Sequence, residues 1–134
     1  MTPHHVLNPP ELAPAVGFAH AVVAAPGRTV YLGGQTAAGI DGRIHLATIV
    51  EQFDATLGNI VTALAAAGAR PEHLVSLTIY AVDADDYRAR LPELGAVYKR
   101  YLGRHYPATA FLRVAGLFDP AALVEVVGIA VVPE

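Results

Sequence analysis

The chain has 134 residues, of which 54% are hydrophobic and 16% are charged, and it carries a formal net charge of −3. This length leaves room for one domain, and the apolar composition excludes a largely disordered protein. The chain contains no cysteine, which excludes disulfides, thiolate nucleophiles and cysteine-type zinc sites.

The nine lysine and arginine residues are scattered along the chain, so the sequence predicts no nucleic-acid surface. No apolar run reaches the roughly 18–20 residues of a membrane helix, and the start of the chain lacks the pattern of a signal peptide. We therefore expect a cytoplasmic protein that binds neither membranes nor nucleic acid.

Prolines interrupt the first part of the chain. Residues 1–14 contain four of the ten prolines, a composition that excludes a helix interior or a central strand, so we expect an N-terminal arm there. A single domain is predicted over residues 15–134. It opens with two strands, residues 18–25 and 29–32, joined by a tight turn that contains a Pro-Gly pair.

Two helices and a strand are predicted in the middle of the chain. The first helix begins at Thr48, whose hydroxyl forms a capping-box pattern with Glu51, and it ends at Gly68. A strand over residues 75–82 follows. The apolar spacing then predicts a second helix whose regular part begins near Pro92.

The C-terminal part predicts two more strands, residues 109–117 and 122–132, joined as a hairpin by a turn at residues 118–120. The predicted order is therefore β-β-α-β-α-β-β. The last strand is apolar on both faces apart from Glu125, so both faces must be buried. Because two helices can cover only one face of the sheet, the other face requires a second subunit, and we expect an obligate homo-oligomer.

Glu125 is a carboxylate inside an apolar strand, where it needs a partner or a strongly raised pKa. A hairpin at residues 118–120 would place Arg113 opposite or diagonal to Glu125, within reach of an ion pair. Two interpretations remain open at this point. Glu125 belongs either to a polar site in an apolar cleft or to a salt bridge at a subunit interface.

The six histidines do not form an HxxxH or HExxH pattern, so the sequence predicts no metal site. His20 shares a strand face with Phe18 and is interpreted as structural. His45 and His73 fall in or beside predicted turns and are expected to face solvent. Ser76 lacks the glycine frame of a hydrolase nucleophile, which argues against serine catalysis.

Gly33, Gly34 and Gln35 form a short glycine-rich strand end without the spacing of a phosphate-binding loop. Adjacent glycines at such a position let backbone N–H groups approach a small ligand closely. An ordinary β-bulge explains the same pair equally well.

Several segments, taken in order, resemble the Rid/YjgF family, also named L-PSP endoribonucleases, whose best-known members are imine and enamine deaminases. Residues 15–20 (AVGFAH) resemble the family segment G-P-Y-x-Q, and residues 30–35 (VYLGGQ) resemble its S-G-Q strand end. Tyr98 matches in the second helix. Residues 106–109 (YPAT) resemble the F-P-A-R motif, and residues 124–131 (VEVVGIAV) resemble the signature I-E-I-E-A-I-A-V.

This resemblance implies a chorismate-mutase-like α+β sandwich, with a mixed sheet and two helices on one face. It also implies a homotrimer that binds a small metabolite in clefts between subunits, without a cofactor. The family arginine that holds the substrate carboxylate falls on Thr109, which cannot form a charged fork. Arg113 lies four residues further along the same strand face, roughly 13 Å away, and is no simple replacement. The cleft tyrosine falls on Phe18 and the cleft serine on Gly33.

The sequence therefore predicts a Rid-type protein of an arginine-lacking subgroup, for which hydrolytic deamination of imines or enamines is the implied reaction. Glu125 is the candidate catalytic residue, which would order the attacking water. The candidate substrate-binding residues are Phe18, Gly33, Gly34, Gln35, Tyr98, Thr109, Phe111 and Arg113. The alternative is a trimer that binds a ligand or partner without catalysis. Ribonuclease activity fits poorly with the acidic charge balance.

Overall fold

The computed structural model describes residues 1–134, which form six strands and three helices. The strands are β1 (His5–Leu7), β2 (Ala21–Val23), β3 (Gly27–Tyr31), β4 (Leu74–Ala81), β5 (Ala108–Arg113) and β6 (Val124–Pro133). The helices are α1 (Ile49–Ala66), α2 (Ala84–Ala89) and α3 (Leu91–Leu102). The main sheet has the order β3-β6-β4-β5, and β1 pairs with β2 in a separate two-stranded sheet.

The first helix confirms the predicted capping box. The Thr48 hydroxyl accepts a hydrogen bond from the Glu51 N–H, and the Glu51 carboxylate accepts one from the Thr48 N–H, each at 3.2 Å. After the helix, Gly68 adopts a φ of 72°, a left-handed conformation that favours glycine. The sequence predicts one buried stripe of six apolar residues on this helix, of which Val50 and Val61 are half-buried and four are fully buried in the core: Phe53, Leu57, Ile60 and Leu64.

The second helical region is divided into two helices. As predicted, α3 begins beside Pro92, but the shorter α2 precedes it. The Asp83 carboxylate caps α2 by accepting a hydrogen bond from the Asp86 N–H at 3.0 Å. The helices lie on one face of a mixed sheet, which confirms the predicted fold class. No helix of this protein combines the length and the apolar character needed to cross a bilayer.

Both predicted hairpins are wrong. The strand β2 pairs with β1 of the N-terminal arm, whereas β3 pairs with β6. The strand β6 lies between β3 and β4 and is antiparallel to both, while β5 runs parallel to β4 at the edge of the sheet. The physical reason is that β6 is apolar on both faces and ten residues long, a pattern typical of a central strand. Residues 114–123 carry the chain past the end of β4 to reach this position.

The N-terminal arm is bound to its own chain through His4. The His4 Nε2 donates to the His73 carbonyl oxygen at 2.9 Å, and the His4 Nδ1 accepts from the Ala25 N–H at 3.0 Å. His73 is itself buried, and its Nδ1 accepts from the Arg70 N–H at 3.0 Å. The prediction that His73 faces solvent is therefore wrong, because the arm covers it. His45 is exposed, as predicted.

Replacing Thr56 by Val is expected to stabilise the fold. The Thr56 hydroxyl is fully buried on α1 and has no hydrogen-bond partner. Thr56→Val removes the unpaired polar atom and keeps the branched shape, so the free energy of unfolding should rise by about 1 kcal/mol. Urea denaturation measures this change.

The matched control for this prediction is Thr62→Val on the same helix. The Thr62 side chain is exposed, and its hydroxyl donates to the Gly58 carbonyl at 2.9 Å. We expect this control to change the free energy of unfolding by less than about 0.5 kcal/mol. A Thr56→Val protein that is less stable than the wild type would contradict the prediction.

The sheet face opposite the helices is apolar and remains open in the single chain. Tyr31 on β3 is 77% exposed, and its register neighbour Ile129 on β6 is only half-buried. Val127 and Glu125 of β6 and Tyr80 of β4 share this face, and none of them is buried. We call this surface the open face.

Candidate functional site

Glu125 lies on the open face beside a bulge in the edge of the sheet. The Leu32 N–H donates to the Gly128 carbonyl and the Gln35 N–H to the Val126 carbonyl, each at 2.9 Å. Residues 32–35 therefore lie opposite residues 126–128, so four residues on one side of the ladder face three on the other. One extra residue on one side defines a β-bulge. The extra residue falls in the glycine pair 33–34. As a result, the N–H groups of both glycines have no hydrogen-bond partner in the chain.

The Glu125 carboxylate rests directly on the backbone of Gly34. A Cβ atom at Gly34 would lie 2.3 Å from Glu125 Oε2, whereas a Cβ atom at Gly33 would contact nothing within 4 Å. Only glycine at position 34 therefore permits this arrangement. The carboxylate forms no ion pair in the chain. A free carboxylate beside two free N–H donors can accept a hydrogen bond from water and hold an adjacent polar oxygen.

The predicted ion pair between Arg113 and Glu125 is wrong. In the register of the sheet, Glu125 is the neighbour of Tyr80, and Arg113 is the neighbour of Ala81. Because side chains alternate along a strand, the two charged side chains lie on opposite faces. They are also two strand spacings apart, about 10 Å. A salt bridge between them within one chain is therefore excluded, and Arg113 is exposed at the end of β5.

A second region is a cleft on the helix side of the sheet, with a volume of about 660 Å³. We call it the apolar cleft. Four of the predicted binding residues line it together: Phe18, Tyr98, Thr109 and Phe111. The other lining residues are Val16, Gly17, Phe53, Ile79, Tyr87, Arg88, Leu91, Leu94, Gly95 and Tyr106. Strand β5, helices α2 and α3 and the segment before β2 thus form the walls of the cleft.

Aromatic contacts hold the walls of the apolar cleft. The Tyr87 and Phe111 rings lie 4.3 Å apart between centroids, and the Tyr98 and Tyr106 rings stack at 5.1 Å with an angle of 8°. The Tyr98 hydroxyl donates to the His105 carbonyl at 2.7 Å. Burial raises the pKa of Tyr87 to about 12 and raises the pKa of Tyr98 even further. Both phenols therefore stay protonated at neutral pH and can act only as neutral hydrogen-bonding groups.

Two predicted residues already have partners in the chain. The Thr109 hydroxyl donates to the Pro107 carbonyl at 2.8 Å. His20 contacts the Phe18 ring at a centroid distance of 5.1 Å, and its Nε2 lies 2.7 Å from the Ala13 carbonyl oxygen. The contact between His20 and Phe18 agrees with the structural interpretation of His20.

Tyr87, Arg88 and Tyr106 also line the cleft, although they are not among the predicted binding residues. Tyr87 and Arg88 lie on α2, whereas the apolar spacing predicted a regular helix only from about Pro92. Asp83, a residue type that commonly caps a helix N-terminus, was the available signal.

Seven of the nine predicted site residues therefore form two separate groups in one chain. Glu125, Gly33 and Gly34 lie at the open face, whereas the aromatic residues and Thr109 lie in the apolar cleft on the helix side. The sheet stands between the two groups.

Comparisons with known proteins agree with this architecture. The family model described as endoribonuclease L-PSP matches residues 9–132. The 2-iminobutanoate/2-iminopropanoate deaminase of Capra hircus is 35% identical over 107 residues, which cover 78% of this chain and 73% of the goat protein.

Two solved structures are similar along most of their length. The YyfB protein of Yersinia pestis, a Rid protein of unknown function, is 31% identical with a TM-score of 0.86, and the match covers 96% of this chain and 98% of that one. Rv2704 of Mycobacterium tuberculosis, a member of the YjgF/YER057c/UK114 family, is 32% identical with a TM-score of 0.64, covering 87% and 88%. Because the family model spans nearly the whole chain, this protein belongs to the Rid/YjgF family of L-PSP endoribonuclease-type proteins.

Proposed function

We propose that this protein is a Rid-type deaminase that hydrolyses reactive imines or enamines of small, relatively apolar metabolites. The observation that carries the proposal is the Glu125 carboxylate, which has no ion-pair partner and rests on Gly34 beside two free backbone N–H groups. The deaminase name of the goat relative supports the same reaction class.

The chemistry requires only water and this set of groups. Glu125 holds a water molecule and accepts its proton while the water oxygen forms a bond to the imine carbon. The proton that Glu125 accepted and the hydroxyl proton of the adduct pass to the nitrogen, which leaves as ammonia when the C–N bond breaks, and the adduct oxygen becomes the carbonyl oxygen of the product. The free N–H groups of Gly33 and Gly34 can stabilise the oxygen that carries charge during these steps. The acidic residue and the two donors need no redox partner.

We also propose that the site lies between subunits of a homotrimer. In one chain, Glu125 and the apolar cleft lie on opposite sides of the sheet, so one copy cannot apply both to the same ligand. The open face is apolar, and Tyr31 is 77% exposed on it, which favours its burial against another copy. A copy seated there would bring its own apolar cleft to the Glu125 of its neighbour.

Mixing two inactive variants tests this arrangement. Glu125→Gln removes the carboxylate, and Gly95→Phe fills the apolar cleft without a steric clash, because a Cβ atom at Gly95 contacts nothing within 4 Å. Each variant alone should be inactive in an assay of ammonia release from imines generated by an amino-acid oxidase. Mixed assemblies formed from equal amounts should recover about a quarter of wild-type activity. In that share of the interfaces, one subunit supplies an intact Glu125 and its neighbour supplies an open cleft.

The mixing experiment also has a clear negative result. If subunit exchange is verified by mass spectrometry and the mixture stays inactive, Glu125 and the cleft do not cooperate across an interface. Variants mixed without exchange serve as the control.

A second candidate function is ligand binding without catalysis. Thr109 supports it, because the resemblance places the substrate-binding arginine at this position and a neutral hydroxyl cannot replace that charge. A wild-type protein that binds apolar ligands but accelerates ammonia release from none of the imines would favour this function.

A further inference from the structure

Arg88 is the only charged residue among the fourteen that line the apolar cleft. Ten of these residues are hydrophobic, and the others are glycine, threonine or this arginine. A single cation in an apolar cleft is typical of a pocket that orients one anionic group of a ligand.

The present partner of Arg88 is easy to replace. Its guanidinium pairs with Asp85 one turn earlier on α2, and the two side chains are 65% and 91% exposed. Such exposed pairs contribute little to stability, since water competes for both charges. A ligand carboxylate beside apolar walls is less hydrated and can take both donors of the guanidinium fork.

The position of Arg88 is held by its neighbour Tyr87. The Tyr87 ring packs against Phe111 at 4.3 Å and edge-on against Phe53 at 5.9 Å between centroids. These contacts join α2 to β5 and to α1, so Arg88 extends from a supported backbone. The chain provides no hydrogen-bond partner for the Tyr87 hydroxyl, which leaves a second donor in the same wall of the cleft.

Gly95 increases the space beside these donors. It lines the cleft on α3, and a Cβ atom there would contact nothing within 4 Å. The absent side chain leaves room between α3 and β5. A cleft of about 660 Å³ with this opening accommodates a group as large as a phenyl ring and its linker.

We infer that the apolar cleft selects carboxylates attached to a large apolar group, preferably an aromatic ring, and that Arg88 binds the carboxylate. This inference names the substrate class of the proposed deaminase and rests on that function for the reaction, but the binding itself is independent of catalysis. Arg88 is thus a specificity-determining residue, and the aromatic walls formed by Phe18, Phe111 and Tyr106 contact the ring.

Isothermal titration calorimetry with three probes tests the inference: 3-phenylpropanoate, its amide, and propanoate. The wild type should bind the aromatic acid more tightly than either of the other probes. Arg88→Gln should weaken binding of the acid about tenfold and leave the amide unchanged. Arg90→Gln is the matched control, because Arg90 also pairs with surface carboxylates but does not line the cleft. It should leave all three affinities within about twofold.

Three results would overturn the inference. They are an aromatic acid that does not bind, an Arg88→Gln protein that binds it as tightly as the wild type, and an equal loss with Arg90→Gln. The last result would indicate general surface charge rather than a bound carboxylate. Asp85→Asn provides a positive check, since freeing Arg88 from its partner should tighten binding of the acid by about two- to threefold.

Kinetics with aromatic 2-imino acids separate this inference from the proposed function. If acid binding depends on Arg88 but the wild type releases no ammonia, the deaminase proposal fails and the inference stands. If deamination occurs and Arg88→Gln leaves KM unchanged, the inference fails and the deaminase proposal stands. The result expected is a KM raised about tenfold with kcat nearly unchanged, because the arginine binds ground state and transition state alike.

Discussion

Glu125→Gln is expected to lower kcat/KM for imine hydrolysis by about 10²- to 10³-fold. The amide has the shape of the carboxylate but cannot accept a proton from water. Because Glu125 forms no ion pair in the chain, the substitution should leave the fold and its stability nearly unchanged. Ammonia release from imines generated in situ measures the activity, and circular dichroism confirms the fold.

The control for this prediction is Glu11→Gln, a substitution of an exposed carboxylate in the N-terminal arm. It should retain wild-type activity. A Glu125→Gln protein with activity within about twofold of the wild type would show that another group handles the water proton. The hydrolytic mechanism proposed above would then be wrong for this residue.

Gly34→Ala is expected to reduce activity about a hundredfold while leaving stability nearly unchanged. The new Cβ atom would lie 2.3 Å from Glu125 Oε2, so the flexible carboxylate must move away from the bulge. A displacement of about 1 Å at a catalytic group can cost 10²-fold in rate. The backbone itself is not strained, because Gly34 is not among the glycines with positive φ. Activity and thermal unfolding are measured on the same sample.

Two alanine variants calibrate this result. A Cβ atom at Gly33 contacts nothing within 4 Å, so Gly33→Ala should cause a much smaller loss of activity than Gly34→Ala. Gly116→Ala changes an open loop position away from both regions and should change nothing. Equal activity of the Gly34→Ala protein and the wild type would mean that the position of the Glu125 carboxylate is not critical for the reaction.

Local patterns along the chain predicted the secondary structure well where the physical cause was local. The capping box of Thr48 and Glu51 and the stripe of apolar residues behind it place α1 with no reference to the rest of the chain. The alternation along β6 also showed that both of its faces are apolar. The Rid/YjgF resemblance, carried by short motifs at the strand ends, supplied the fold class.

The pairing of strands depended on contacts between distant segments, so the local sequence predicted it incorrectly. Strand β6 follows β5 along the chain after a proline turn, which resembles a hairpin, yet β6 pairs with β3 and β4. The residues around 118–120 carry no information about which strand lies at the centre of the sheet, a position taken by the longest and most apolar strand. This burial is a property of the whole sheet.

In the candidate site too, the local sequence predicted one part and contacts between distant segments determined the rest. Glu125 stands out in the sequence because a lone carboxylate among apolar residues is costly to bury. Its neighbours, however, depend on which strands lie beside it: the sheet places Tyr80 next to Glu125, the bulge brings Gly34 against it, and Arg113 lies on the opposite face. Residue type and spacing thus identified the reactive group, whereas long-range packing determined its surroundings, because Tyr80 and Gly34 lie 45 and 91 positions before Glu125 along the chain.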